Sequence, residues 1–215
     1  MAELELIDND VLFKVACFDL GEALAEDFRD ASPVRLGVAV FVLRSKVRRS
    51  SKLRDKDGAE GRLNAIWHWA IEIEPASGEL ELAAEIEGIA QAHNLSFDSG
   101  ESLLLAILIK RGRGRLHTGD KRAIAVMPKI IQLVGEEKSL AGRVRCFEQI
   151  LLSLLARLGA HELTRGVCSE PDIDKSSAIC CNCASGAQPD AEAIAEGLQS
   201  YVEELRGRCG ELLIA

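Results

Sequence analysis

Leu4-Glu-Leu-Ile7-Asp8-Asn-Asp10-Val-Leu12 opens the chain and sets the pattern for the rest. Leu4 to Ile7 reads as a short strand that stops at the polar run Asp8-Asn9-Asp10. From Val11 to Phe28 the apolar residues Leu12, Val15, Ala16, Ala23 and Leu24 then fall mostly at helical spacing. The same change of period recurs further on. Leu95-Ser-Phe97 is a short strand candidate before an apolar helix from Asp98 to Lys110, and Arg115-Leu-His-Thr118 is another before a helix from Lys121 to Met127. Arg143 to Phe147 precedes a helix from Glu148 to Leu158. Short strands alternating with helices predict an α/β fold with a parallel sheet.

Other segments read less uniquely. Ser32-Pro33 marks a break, and Arg35 to Val47 suits either a strand or a buried helix. Glu79 to His93 carries Leu82, Ala83, Ile86, Ile89 and Ala90 on one face, the mark of an amphipathic helix. Past Gly159 the character changes. Ser169-Glu-Pro-Asp172 has a capping-box pattern, and Asp190 can cap a helix from Ala191 to Arg206. The division expected is a domain over residues 1–160 and a helical extension over 161–215 packed on it.

Composition narrows the class. The 215 residues are 47% apolar and carry 26 basic against 34 acidic side chains, a net charge of −8 that excludes a uniformly basic nucleic-acid binder. No apolar run approaches the roughly 20 residues that span a bilayer, and the acidic start lacks a secretory pattern, so a soluble, cytoplasmic protein is expected. Seven cysteines, an odd number, point to reduced thiols. Cys168, Cys180, Cys181 and Cys183 cluster, but without the paired spacing of a zinc site. The four histidines, His117 among them, have no partner at metal-ligand spacing.

Three acids stand where an α/β sheet binds ligands, outside the carboxyl ends of strands. Asp8 follows the first strand, Glu101 opens the helix after Leu95 to Phe97, and Asp120 follows Arg115 to Thr118. Gathered at one rim, three carboxylates raise one another's pKa unless a cation compensates. Their hard oxygens suit Mg²⁺ or Mn²⁺. The structural alternative is helix capping: Asp98-Ser-Gly-Glu101 is a capping box, and Asp8 or Asp120 can cap the helix behind it for about 1 kcal/mol. Spacing alone weighs the two evenly.

The residues also carry a resemblance. Leu6-Ile-Asp8-Asn-Asp10-Val-Leu12 resembles the first motif of PIN-domain nucleases. Asp98-Ser-Gly-Glu101-Ser-Leu-Leu-Leu-Ala106 resembles their later acidic motif, and Leu116-His-Thr118-Gly-Asp120-Lys121-Arg122-Ala123 the final one. The resemblance covers roughly residues 4–20 and 80–130. It implies a three-layer α/β/α fold with a central parallel sheet, an acidic site for Mg²⁺ or Mn²⁺ built by Asp8, Glu101 and Asp120, and hydrolysis of RNA as in toxin nucleases, with an antitoxin-like protein partner. Such domains carry a further acid between the first motif and the later pair. Here that region is longer and basic; Glu60, Glu79 and Glu85 are candidates, and Glu85 is preferred because its helix lies close to the later motifs.

Seven basic residues fall within Arg44 to Lys56, and Lys110-Arg-Gly-Arg-Gly-Arg115 adds a second basic stretch. Arg48, Arg49, Arg111 and Arg113 are the candidate phosphate contacts, against the alternative of solvated charge. Two further readings stand beside the nuclease. One is a catalytically silent RNA- or protein-binding module, with the Leu-rich helix of residues 149–158 and the helix around Leu198, Tyr201 and Leu205 as places for a homodimer contact or simply core. The other is a haloacid-dehalogenase-like phosphatase with Asp8 as nucleophile and Asp10 as acid. That family's last acidic motif needs a further Asp, which Lys121 to Val126 lacks.

Overall fold

A computed structural model describes residues 3–136, 140–186 and 189–215. β1 (Glu3–Ile7) leads into α1 (Asn9–Cys17) and α2 (Gly21–Asp27). The single helix expected from Val11 to Phe28 is two, because Asp19 takes a left-handed φ of 57° and turns the chain between them. Ser32-Pro33 is no break but lies inside β2 (Ala31–Leu36). β3 pairs with β2 only from Val34 onward, so Pro33 sits where β2 has one neighbour and a missing N–H is tolerated. The ambiguous stretch after it divides between β2 and α3 (Ala39–Arg49).

The chain continues through α4 (Lys56–Trp69), β3 (Ile71–Ile73), α5 (Ser77–Ala92) and α6 (Ser99–Arg111). Leu95 to Phe97 pairs with no strand and is a connection between α5 and α6, too short and too local to join the sheet. Then come β4 (Arg115–Thr118), α7 (Lys121–Val134), β5 (Val144–Cys146), α8 (Phe147–Ser169), α9 (Lys175–Cys180) and α10 (Ala191–Cys209). α8 is two helices joined at Gly159, whose φ of 78° interrupts the ladder. The Ser169 capping box does not form. Asp174 caps α9 instead, accepting from the Ser177 amide.

All five strands run parallel in the order β3-β2-β1-β4-β5. Helices cover both faces, giving a three-layer α/β/α architecture. Leu4, Leu6, Val34, Leu36, Leu116 and Val144 pack one face against α5, α6 and α7. Ile7 and Phe28 belong to the opposite core, with α1, α4 and α8. That second face is partly polar, with Glu5 buried against His117 and Arg115. Beyond α10, Ile214 donates its amide to the Val144 carbonyl, so the C-terminal residues lie along β5. Among the described residues no helix is long and apolar enough to cross a membrane.

The cysteine expectation needs correcting. Cys168 near the end of α8 and Cys183 after α9 form a disulfide, their Cα atoms 5.1 Å apart. A left-handed Asn182 turns the chain back to make that approach. Cys17, Cys146, Cys180, Cys181 and Cys209 are buried free thiols.

The segment after Gly159 packs closely on the first helices. A Cβ on Gly166 would lie 2.5 Å from the Phe18 carbonyl oxygen. Gly166→Ala therefore forces α8 away from the α1–α2 corner, an overpacking worth about 1–3 kcal/mol. A thermal melt should show a Tm lower by several degrees.

Candidate functional site

The strand order fixes where a ligand crevice opens. From β1 the chain moves outward to β2 and β3, then crosses back to lay β4 on the other side of β1. The connections leaving β1 and β4 thus diverge, and the crevice lies at their carboxyl ends. Asp8 follows β1 and Asp120 follows β4, one on each side of this point.

Asp8 is buried and caps α1, its Oδ1 accepting from the Asn9 amide at 2.6 Å. Thr118 at the end of β4 donates its hydroxyl to Asp8 Oδ2 at 3.0 Å, and the Asp120 amide donates to Thr118 Oγ1 at 3.3 Å. A hydrogen-bonded chain therefore ties the two strand ends together. Burial, and next the neighbouring Asp10, push the Asp8 carboxyl up to about 6, although Thr118 and Asn9 pull the other way.

Glu101 arrives differently from the expectation, at a helix start with no strand before it. The capping box forms: Glu101 accepts from the Asp98 amide at 2.7 Å, and Asp98 accepts from the Glu101 amide at 2.8 Å. Burial raises its carboxyl to about 8, with Asp98, Asp8 and Asp120 adding repulsion. Asp120 caps α7 through the Arg122 and Ala123 amides and pairs with the exposed Arg122 side chain at 2.9 Å. Burial works upward on Asp120 as well, but those hydrogen bonds outweigh it and hold the group below its ordinary value.

Several residues at this edge were missed by sequence reasoning. Lys14 is buried and bridges Asp10 and Asp174, with Nζ–O distances of 2.7 Å to each, and lies 3.5 Å from the Gly119 carbonyl. Burial works against its charge, yet the two carboxylates prevail and keep the ammonium protonated. Lys46 on α3 reaches the other oxygen of Asp10 at 3.4 Å. The four-residue step from Asp10 to Lys14 on one helix was legible. The arrival of Asp174 from far along the chain was not. Gly119 leaves room for this pair, since a Cβ would stand 2.4 Å from Asp10 Oδ2 and push that carboxylate aside.

The other expected residues divide. Glu85 is exposed on α5. Glu60 pairs with Arg48 at 2.8 Å, and Glu79 with Arg111 at 2.7 Å. Arg48 and Arg111 are thus engaged elsewhere, and Arg113 precedes β4 whereas Asp120 follows it. Arg49 lies in a cleft beside Asp10. His117 turns away from the crevice to pair with Glu5, its ring edge against Phe28.

By donor chemistry, Asp8, Glu101 and Asp120 fit a hard divalent cation: oxygen ligands that repel one another, two of them held unusually protonated. By position they are not assembled around one point. Among the described residues no group of three or more His, Cys, Asp or Glu side chains is arranged to hold a metal ion. Their oxygens are spent on helix caps and on Thr118 and Arg122.

Compared with protein-family models, curated proteins and solved structures, the chain matches none.

The raised carboxyls have a stability consequence. Asp8 and Glu101 hold their protons more tightly folded than unfolded, so the stability these two groups contribute is fully present below about pH 4 and is lost as pH rises toward 8. Glu101→Gln keeps a capping side chain but removes the charge. It should raise Tm at pH 8 by a few degrees and leave it unchanged near pH 4, as read by calorimetric melts across that range.

Proposed function

We propose that the protein is a PIN-like, metal-dependent nuclease that hydrolyses phosphodiester bonds of RNA. The observation that supports this reading is that Asp8 and Asp120, at the ends of β1 and β4, are linked through Thr118 and both act on Glu101 at the start of α6, with the carboxyls of Asp8 and Glu101 raised by burial and then by neighbouring carboxylates. Carboxylates kept at a buried edge despite that cost are what a divalent cation would relieve. The parallel β3-β2-β1-β4-β5 sheet agrees with the fold that the motif resemblance implies.

Asp8, Glu101 and Asp120 would hold Mg²⁺ or Mn²⁺, which when bound supplies an activated water and neutralises charge on the phosphate. Thr118 fixes the orientation of Asp8 through the 3.0 Å hydrogen bond. Lys14 holds Asp10 close against the Gly119 turn, so that the backbone on either side of Asp8 and Asp120 is kept in place. Arg122, exposed beside Asp120, is placed to meet an anionic substrate.

A second reading, a silent PIN-like module that binds RNA or protein, is favoured by one observation. The acids are committed to caps, and α3, the helix that follows β2, contains no carboxylate to add to them. The phosphatase reading loses its acid, because both oxygens of Asp10 are taken by Lys14 and Lys46.

Incubation of mixed single-stranded and structured RNA with Mn²⁺, Mg²⁺ or EDTA separates these readings. Metal-dependent cleavage is expected, with a loss of at least about 100-fold in Asp8→Asn and Asp120→Asn. Both variants should remain folded by circular dichroism. Retained cleavage in both would remove the acids from the mechanism. Absence of cleavage together with absence of Mn²⁺ binding in calorimetry would establish the silent module.

A further inference from the structure

A cleft of 350 Å³ opens beside the acidic centre, between α1, the carboxyl end of α3 and the C-terminal segment. Phe13 and Ile173 form its apolar walls, and Asp10, Lys46, Arg49 and Lys52 its charged ones. The single acid is already paired, since Asp10 holds Lys14 at 2.7 Å and Lys46 at 3.4 Å. Lys46 lies over the Phe13 ring, 4.3 Å from its centre, which fixes its ammonium in the cleft. Among the described residues Arg49 and Lys52 make no side-chain ion pair, and both are exposed. Arg49 and Lys52 therefore stand beside the Asp10-bound Lys46 on a concave surface of a protein whose overall charge is −8.

We propose that this cleft is a phosphate-binding subsite for a single-stranded RNA, holding a phosphate one or a few nucleotides away from the one presented to Asp8. The size suits a phosphate with part of its nucleotide rather than an extended protein surface. The apolar walls would take the ribose or base edge, while the cations meet the phosphate oxygens. Because Asp10 also borders the acidic centre, a chain anchored here runs directly into it. The choice of RNA rests on the nuclease reading above, but binding in the cleft needs no catalysis.

The test uses the full chain in EDTA and a fluorescently labelled single-stranded RNA, with affinity read by polarisation over a range of salt. For the double variant Arg49→Gln/Lys52→Gln, affinity should fall about tenfold and the salt slope by about 1.4, two contacts at roughly 0.7 each. Lys129→Gln, an exposed lysine on α7 across the sheet, should bind as wild type. The proposal is overturned by wild-type protein that does not bind, by a double variant that binds like wild type, or by Lys129→Gln losing as much. It is also overturned if a polyglutamate peptide displaces the RNA at equal concentration, since the cleft would then favour an acidic protein segment. RNA binding of the expected pattern without any metal-dependent cleavage upholds the cleft and removes the nuclease reading; cleavage without the pattern does the reverse.

Discussion

Lys14 holds three parts of the chain to one point. Its ammonium sits between Asp10 on its own helix and Asp174 at the start of α9, and approaches the carbonyl of Gly119 in the turn after β4. A lone buried ammonium costs several kcal/mol, so its two carboxylates are obligatory rather than decorative. Asp174 in turn can serve only if α9 is seated, and α9 is seated by its disulfide-closed segment and by Ser176, which accepts from Lys121 and donates to Glu148. The residues after Gly159 are in this way a structural component of the crevice.

That network divides the acids of the crevice into two populations. Asp10 and Asp174 have cations of their own, and Asp174 lies well below the usual carboxylate range: burial pushes it upward, but Lys14 and Ser177 prevail. Asp8 and Glu101 have no such partner among the described residues and are pushed the other way. Asp120 lies between, with the exposed Arg122 as its counter-charge. An electrostatic deficit concentrated on two adjacent groups is a property of the site as a whole. It arises from the topology, since only a parallel sheet with diverging connections brings the ends of β1 and β4 together.

Much of this was legible because it is local. The strands around Leu6 and Leu116, the caps at Asp98, Asp120 and Asp190, and the amphipathic α5 are each encoded within a few residues. The boundary of α1 was lost because Asp19 adopts a left-handed backbone without being glycine, which no periodicity announces. Leu95 to Phe97 has strand composition, but whether three residues pair is decided by neighbours and not by themselves. For the candidate site, Asp8, Glu101 and Asp120 could be read from motif and position, whereas Lys14, Lys46 and Asp174 act through contacts formed only after folding. The basic stretches were visible as composition, yet Arg48 and Arg111 find their carboxylates in Glu60 and Glu79, while Lys46, Arg49 and Lys52 line the cleft.

The residues that follow α10 have a bearing on assembly. By giving their backbone to Arg143 and Val144, they cover the start of β5 on its outer side. The opposite border is β3, three residues long, too brief a template for another chain to extend the sheet stably. A parallel sheet covered at the start of one border and abbreviated at the other is a poor template for growth from molecule to molecule. Helical surfaces, which cover both faces of the sheet, are what a second copy would meet, and the sheet remains an internal frame.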